Sequence, residues 1–485
     1  MSNKDKKISK ITQENINELY ERIRTIYLSD EIPWVIGFSG GKDSSASLQL
    51  VWYAIKDLST EQRKHKLIHV ISTDTFVESP VVAAWVNSSL ERMRKAAEEQ
   101  DMPILVHKLT PNISDSFWVN IIGRGYPAPR PNFRWCTDRL KIKPSNNFII
   151  DVVAKHGEAI LVLGTRSAES SRRAANMKKY QQMRVRDWLS PTKTLSNCLT
   201  YTPIEDWSND DVWIYLMQYP NPWGQMNKDL LTMYQGASAD GDCPLVVDTN
   251  TPSCGSSRFG CWVCTMVKED KSMQAMIQND EEKIWMTPLL NFRNKIGNFD
   301  DRDKREYRRM SGKVLIFNNR AVHGPYKKWY REELLRDILT IEKEVQQIGP
   351  QGFENLRIIS DEELRWIRKI WVVEKHEFDD SLPQIYEEIT GKPYKFTDSL
   401  SSSVFGKKEW VLLYEVCNGD EDLFGLQANL LDISQQYSIF TIKKGILQEF
   451  EDTIKRFYYE NEEEAVKVNI EIVERKRYIE EKTQI

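Results

Sequence analysis

Residues 33–44 read Pro33-Trp34-Val35-Ile36-Gly37-Phe38-Ser39-Gly40-Gly41-Lys42-Asp43-Ser44, and this stretch decides the fold of the chain. Its first half is a short apolar run that ends at a glycine-rich turn, which predicts a buried strand. From Ser45 to Ile55 the apolar residues return at helical spacing, which predicts a helix directly after the turn. Glycines let the backbone approach an anion closely, and the amides at a helix N-terminus face that anion. The stretch therefore predicts a phosphate-binding loop that differs in spacing from the Walker pattern.

Two further apolar runs end in loops that are rich in polar residues. Residues 67–71 form a second predicted strand that ends at Thr73-Asp74-Thr75, and residues 159–163 form another that ends at Gly164-Thr165-Arg166. Strands that alternate with helices indicate an α/β fold with a doubly wound parallel sheet. Ligands of such sheets bind beyond the carboxyl ends of the strands. We therefore expect the three loops to converge on one site.

The remaining patterns divide the chain into four regions. Residues 1–32 carry an N-terminal helix, and residues 33–235 form the α/β domain. Residues 236–290 are a cysteine-rich segment that begins in turn-forming sequence, since Gly, Asp, Ser, Thr and Pro are frequent there. Residues 291–485 contain long charged stretches with helical spacing, which predicts a mostly helical C-terminal region.

The composition limits the classes of protein to which this chain can belong. The 485 residues contain 40% hydrophobic residues and no apolar run of about 18 residues, which argues against a membrane span. The polar start of the chain lacks the apolar core of a secretory signal, so we expect a cytoplasmic protein. The net charge of −4 gives no overall signature of nucleic-acid binding, so any such contact must be local. Two basic stretches, residues 172–186 and 302–313, are candidates, and each is also compatible with a solvated helix face or loop.

Four of the seven cysteines, Cys243, Cys254, Cys261 and Cys264, lie within 22 residues. In a cytosolic chain such crowding indicates metal or redox chemistry more than disulfides. These four thiols are suited to a structural zinc ion. Cys136 with Cys254, Cys261 and Cys264 is suited instead to a [4Fe-4S] cluster, and spacing alone does not choose between the two.

The loop at residues 39–44 resembles the PP-loop of the ATP pyrophosphatase and PAPS reductase superfamily, whose domain is adenine nucleotide alpha hydrolase-like. Residues 134–141, 164–172 and 203–213 resemble further segments of the reductase-like branch of that superfamily. The resemblance implies cleavage of ATP between the α and β phosphates. It also implies that the loop holds the departing pyrophosphate and that Asp43 lies near Mg²⁺.

The same resemblance implies the roles of individual residues. Lys42, Asp43 and Arg166 would be catalytic. The nucleotide would contact Ser39, Gly40, Gly41, Lys42, Asp43, Ser44, Ser45, Asp74, Gly164, Arg166 and Arg172. Asp74, at the end of the second strand, is a candidate for adenosine recognition and is equally compatible with a turn or helix-cap residue.

The cysteine run carries a narrower resemblance. Residues 243–265 closely resemble the DndC/SspD-like sulfurtransferases of bacterial DNA phosphorothioation systems. This resemblance favours a [4Fe-4S] cluster over zinc, with ligands drawn from Cys136, Cys243, Cys254, Cys261 and Cys264. It implies ATP as substrate and replacement of a non-bridging oxygen of a DNA phosphate by sulfur. The implied partners are DNA, a cysteine desulfurase as sulfur donor and other subunits of the modification system. We expect no association with a membrane.

Three alternatives remain open. A PAPS or APS reductase typically has a Glu-Cys-Gly tail or an adjacent Cys-Cys pair, and this sequence has no cysteine after Cys417. A tRNA thiolase also combines a PP-loop with cysteine ligands, but residues 254–265 resemble the DNA-modifying group better. The third alternative is a non-catalytic subunit of a DNA-modification complex that binds ATP without turnover.

Overall fold

The computed structural model describes residues 11–192, 194–237, 260–375, 377, 379–396, 407–438, 445–456, 459 and 461–483. The chain divides into two compact units, and each is built from two separate segments. Unit 1 consists of Met1–Asn112 and Pro129–Arg293, and unit 2 consists of Ile113–Ala128 and Asn294–Ile485.

Unit 1 contains a six-stranded sheet. Its strands are β1 (Trp34–Gly37), β2 (Ile68–Thr73), β3 (Ile104–Leu109), β4 (Ala159–Val162), β5 (Ser190–Pro191) and β6 (Cys198–Tyr201). The strand order is β3-β2-β1-β4-β6-β5; the first five are parallel, and β5 runs antiparallel at the edge. The order reverses between β1 and β4, so the predicted doubly wound α/β sheet is confirmed, and this reversal is where such sheets bind ligands.

Strand β1 lies at the centre of the sheet, and its side chains are apolar on both faces of the sheet. Trp34 pairs with Ile68 of β2 on one side and with Ile160 of β4 on the other. Trp34 and Ile36 enter the larger core, whereas Val35 enters a second core with Ile149. Burial on both faces is the reason why the strand reads as a continuous apolar run.

Helices cover both faces of this sheet. They are α1 (Gln13–Leu28), α2 (Lys42–Lys56), α3 (Thr60–Arg63), α4 (Pro80–Glu99), α5 (Lys143–His156), α6 (Ser171–Gln181), α7 (Asn209–Gln218), α8 (Asn227–Gly236) and α9 (Lys271–Asn279). The next helix, α10 (Thr287–Gly297), contains the boundary with unit 2. Helix α2 contacts α1 and α7, while α5 contacts β2 and β4. The strand-to-helix order around the reversal is therefore the one that the sequence predicts.

Unit 2 is mostly helical, as predicted for the C-terminal region. Its helices are α11 (Lys328–Ile348), α12 (Asp361–Lys369), α13 (Ser381–Thr390), α14 (Lys407–Val416), α15 (Glu421–Ser438), α16 (Ile446–Arg456) and α17 (Glu462–Thr483), and its short strands are β7 (Ile316–Phe317) and β8 (Arg320–Ala321).

The inserted segment Ile113–Ala128 is part of the core of unit 2. The indole Nε1 of Trp118 donates to the carbonyl of Ile358 at 2.7 Å, and Nε1 of Trp371 donates to the carbonyl of Ile122 at 3.0 Å. Among the described residues, no helix combines the length and the apolar character that crossing a bilayer requires.

Candidate functional site

The glycine loop after β1 has a backbone that excludes larger residues. Gly40 adopts a φ of +76°, and a Cβ atom there would lie 2.5 Å from Cγ2 of Val86. The indole Nε1 of Trp85 donates to the carbonyl of Gly40 at 3.0 Å and fixes the turn. Gly41 is the extended N-cap of α2 and makes no side-chain cap. The loop therefore presents backbone rather than side chains at the start of the helix, as a phosphate cradle requires.

Two serines tie the loop to the first turn of α2. The hydroxyl of Ser44 donates to the carbonyl of Gly41 at 3.0 Å and accepts from the amide of Ser39 at 3.2 Å. The hydroxyls of Ser39 and Ser44 also lie 3.2 Å apart. The amide of Lys42 donates to the hydroxyl of Tyr234 at 3.4 Å. These bonds hold the loop in one shape.

Asp43 joins the loop after β1 to the loop after β4. Its Oδ1 accepts from Nε of Arg166 at 2.7 Å, and its Oδ2 lies 3.2 Å from Nζ of Lys42. Arg166 is 3% exposed, and its guanidinium also donates to the carbonyl of Trp207 at 3.2 Å. The three predicted catalytic residues are therefore joined by two ion pairs through Asp43. The pair between Asp43 and Arg166 compensates the free-energy cost of burying the guanidinium.

Gly164 allows the two loops to approach closely. A Cβ atom at this position would lie 2.5 Å from the carbonyl oxygen of Asp43 and 3.0 Å from the amide nitrogen of Ser44. Gly164 is thus needed because the β4 loop lies directly against the first turn of α2.

A cleft of about 550 Å³ opens at the carboxyl ends of β1, β2 and β4. The predicted nucleotide residues that line it are Ser39, Asp43, Ser44, Asp74 and Gly164. Its volume suits a small-molecule ligand such as a nucleotide. The sequence expectation that the three loops meet at one site agrees with this arrangement.

Of the other predicted nucleotide residues, Gly40, Gly41, Lys42 and Arg166 belong to the loops beside the cleft but do not line it. Asp74 faces the cleft, but its carboxylate pairs with Lys108 at 2.8 Å and accepts from the amide of Phe76 at 2.9 Å. Ser45 is buried in α2 at 3% exposure. Arg172 lies in the first turn of α6, and its side chain is outside the described part. The role of Asp74 in adenosine recognition therefore competes with its role in the turn.

The turn that carries Cys261 and Cys264 pairs with the loop that follows β2. The amide of Trp262 donates to the carbonyl of Val77 at 3.0 Å, and the amide of Ser79 donates to the carbonyl of Gly260 at 3.3 Å. Glu78 and Cys261 consequently stand opposite each other in an antiparallel bridge. This pairing brings the cysteine turn to the rim of the same cleft, because Glu78 lines it.

A polar group connects Cys261 to the cleft. Sγ of Cys261 lies 3.3 Å from Oγ1 of Thr75 and donates to Oε1 of Glu78 at 3.6 Å. The same Glu78 oxygen lies 3.2 Å from Nζ of Lys141, which also lines the cleft. Sequence reasoning placed Thr75 only in the loop after the second strand and missed Glu78, because no local pattern marks a single acid or threonine as the neighbour of a cysteine far along the chain.

The three described cysteines of the predicted ligand set lie near one another. The amide of Cys264 donates to the carbonyl of Cys261 at 3.0 Å, and Cys136 lies close enough to Cys264 for the two side chains to interact electrostatically. Burial raises the pKa of Cys136, and burial with the negative charge of Glu78 raises the pKa of Cys261 to about 12. Both thiols therefore hold their protons at neutral pH, and a bound metal would have to displace them.

The cysteines fit an iron-sulfur cluster only in part. Soft thiols such as these three are suitable ligands. Within the described part of the chain, however, no three His, Cys, Asp or Glu side chains are arranged to hold a metal ion. Cys243 and Cys254, the remaining predicted ligands, lie outside the described residues. The cluster accordingly remains a prediction.

Comparison with known proteins defines the class of the domain. Residues 33–267 match the family model of the phosphoadenosine phosphosulfate reductase domain. This part of the chain is a PAPS reductase-like domain of the PP-loop superfamily, with the mostly parallel sheet and flanking helices described above.

Individual relatives are more distant. The uncharacterized proteins MJ0066 and MJ0973 of Methanocaldococcus jannaschii are 24% and 26% identical over 279 and 179 residues. These matches cover 56% and 37% of this chain but only 45% and 34% of the relatives, so the chain spans less than half of either. A solved structure, the U34-tRNA thiolase NcsA from Methanococcus maripaludis with its [4Fe-4S] cluster, is 13% identical with a TM-score of 0.27. That match covers 59% of this chain and 81% of the thiolase.

Proposed function

We propose that this protein is an ATP pyrophosphatase and sulfurtransferase that activates a DNA backbone phosphate by adenylation and replaces a non-bridging oxygen by sulfur. One observation carries the proposal. Asp43, which pairs with Lys42 and Arg166, lines the same cleft as Glu78, which accepts from Cys261. ATP activation and sulfur delivery would thus take place side by side. The resemblance of residues 243–265 to DNA phosphorothioation enzymes supplies the choice of substrate.

The residues of the loop suit the first half of the reaction. Lys42 offers a cation, and the first turn of α2 offers amides to the β and γ phosphates that leave as pyrophosphate. Asp43 would hold Mg²⁺, which would neutralise charge on the phosphate oxygens. A DNA phosphate oxygen attacks the α phosphorus of ATP, the bond between the α and β phosphates breaks, and pyrophosphate departs.

The second half of the reaction exchanges oxygen for sulfur. Phosphate oxygen is a poor leaving group, but AMP is a better one. A sulfur nucleophile at the oxidation level of sulfide attacks the activated DNA phosphorus. The bond between that phosphorus and the oxygen that joins it to AMP breaks. AMP leaves with this oxygen, which was a non-bridging oxygen of DNA. The cysteine turn at the rim of the cleft would hold or receive the sulfur.

The proposal also defines partners. A cysteine desulfurase would supply the sulfur as a persulfide, and a thiol reductant would bring it to the oxidation level of sulfide, with formation of a disulfide. Other subunits of the phosphorothioation system would recognise or handle DNA. If a [4Fe-4S] cluster is bound, its ligands would come from Cys136, Cys261 and Cys264 with Cys254 or Cys243. The cluster would contribute redox and sulfur chemistry beside the nucleotide.

The test is the conversion of ATP to AMP and pyrophosphate by anaerobically purified protein, with and without DNA. We expect Lys42→Ala and Asp43→Asn to lower turnover at least a hundredfold, because both groups contact the phosphates or their metal. Lys56→Ala is the matched control, since Lys56 is an exposed lysine at the other end of the same helix. Normal turnover in both loop variants would contradict the proposal.

The product identifies the substrate class. Nuclease digestion of the treated DNA and mass spectrometry should reveal phosphorothioate dinucleotides when a cysteine desulfurase, cysteine, ATP and a thiol reductant are supplied. Sulfite formed from PAPS would indicate a reductase, and thiolated tRNA would indicate a tRNA thiolase. ATP binding without any AMP formation would indicate a non-catalytic subunit.

A further inference from the structure

Helix α6 (Ser171–Gln181) carries positive charge and has little contact with the rest of unit 1. Residues 171–186 contain six arginines and lysines and no acid, although the whole chain has a net charge of −4. None of the α6 side chains that the structure describes is buried. Ala174, Met177 and Tyr180 are half-buried on one face of α6, and its other described side chains are exposed. A helix that fully buries no side chain gains little from packing on its own domain. Such a helix is suited to contact with another molecule.

The cations of this stretch fall into two groups. Arg184 pairs with Glu205 at 2.8 Å and Arg186 pairs with Asp30 at 2.7 Å, so both hold the segment after α6 against unit 1. Lys178 and Lys179 are exposed, and in the described part of the chain neither makes an ion pair. Their charges are therefore available to a ligand in solution.

The position of α6 connects these lysines to the nucleotide cleft. Arg173, in the first turn, lines the cleft together with Glu169, its ion-pair partner. The helix then leads away from the cleft. At 1.5 Å per residue, Lys179 lies about 9 Å further along the axis than Arg173. A polyanion that enters the cleft at Arg173 would thus meet the lysines over the next few phosphates, since one strand of DNA carries a charge about every 3.4 Å of axis.

We propose that α6 is the docking face for the backbone of the DNA substrate and leads the reacting phosphate into the cleft. This inference rests on the proposed function for its choice of DNA. Lys178 and Lys179 bind phosphates on one side of the reacting one, without reading sequence. Beyond the helix, Met183 and Val185 are 49% and 64% exposed and offer apolar contact to the sugars.

The test measures binding of fluorescently labelled DNA of about 20 nucleotides by anisotropy, without ATP, across a salt series. Loss of two phosphate contacts should make the slope of log K against log salt shallower by about 1.4 to 1.8 in Lys178→Ala/Lys179→Ala. We expect its affinity near 0.1 M salt to fall about tenfold. The matched control is Arg94→Ala/Lys95→Ala, another adjacent exposed pair, on the C-terminal half of α4. It should bind as wild type does.

Three results would overturn the inference: no DNA binding by the wild type, equal binding by the α6 variant, or equal loss in the control. Tighter binding of RNA than of DNA with the same sequence would overturn the choice of DNA. Thermal unfolding of the α6 variant should match the wild type because the replaced side chains are exposed. The assay is independent of turnover: α6-dependent DNA binding without AMP formation would leave this inference standing and reject the proposed function.

Discussion

At the scale of single residues, the site depends on the absence of a side chain at Gly164. Gly164→Ala would place a Cβ atom 2.5 Å from the carbonyl oxygen of Asp43, which is backbone and has little room to shift. We expect a loss of about 1–3 kcal/mol in the free energy of unfolding. We also expect weaker ATP binding, because the first turn of α2 must move.

Calorimetry for ATP affinity and denaturant unfolding for stability measure these two effects. Gly236→Ala is the control, since a Cβ atom there meets nothing within 4 Å. If Gly164→Ala binds ATP with wild-type affinity, the close approach of the two loops does not shape the site.

The burial of a second residue, His69, leads to a prediction of how the stability of the protein depends on pH. Its Nδ1 lies 3.1 Å from Nε2 of His107, and its ring packs against Phe148. Burial, with the nearby charges of His107, His156 and Lys155, lowers the pKa of His69 to about 4. Above pH 6.5 the imidazole is neutral in both the folded and the unfolded chain. Between pH 6.5 and 4 the unfolded chain binds the proton more tightly, so stability falls as the pH falls.

His69→Phe should remove this contribution while keeping an aromatic ring. From the shift in pKa, the wild type should lose up to about 3 kcal/mol more than His69→Phe between pH 7 and 4. Urea unfolding at a series of pH values gives the comparison, in which acid-sensitive groups that do not contact His69 cancel because both proteins contain them. If the two proteins lose stability in parallel as the pH falls, folding does not lower the pKa of His69.

At the scale of elements, the cysteine turn is fastened by a buried arginine. Arg293 is 1% exposed, and its guanidinium donates to the carbonyls of Cys264, Val267 and Lys268. Arg293→Met would leave these buried acceptors without their donor. We expect a loss of about 1–3 kcal/mol in the free energy of unfolding. We also expect faster maleimide labelling of Cys264, measured by peptide mass spectrometry.

The exposed Lys271→Met serves as control, because Lys271 lies at the solvent-facing start of α9. Equal labelling rates in Arg293→Met and wild type would show that the cysteine turn keeps its place without the guanidinium.

The elements that sequence predicts are those whose burial leaves a local pattern. Strands β1 and β4 are central, so they read as unbroken apolar runs. β3 escaped prediction because it lies at an edge, and its side chains are mostly half-buried or exposed. The antiparallel bridge of Glu78 with Cys261 also escaped, because it joins residues 183 positions apart. The glycine loop was therefore predictable, while the contact that brings the cysteine turn to the cleft was not.

At the scale of the whole molecule, the two units interrupt each other in sequence. Ile113–Ala128 lies inside the α/β domain along the chain but belongs to unit 2. No composition change marks this segment, since an apolar run such as Val119-Asn120-Ile121-Ile122 is equally compatible with either core. The sequence prediction of a single α/β region from 33 to 235 therefore gave no sign of the insertion.

This arrangement predicts the behaviour of a chain that ends at residue 293. The side chains of Phe117, Trp118, Ile121 and Ile122 are at most 1% exposed, and the partners of this segment lie in unit 2. Their exposure would cost about 1.5–3 kcal/mol for each side chain. We expect residues 1–293 to aggregate, and the same fragment with residues 113–128 replaced by a 16-residue Gly/Ser linker to be monomeric. Size-exclusion chromatography with light scattering distinguishes the two, and a monomeric, equally stable fragment that retains residues 113–128 would contradict the assignment of this segment to unit 2.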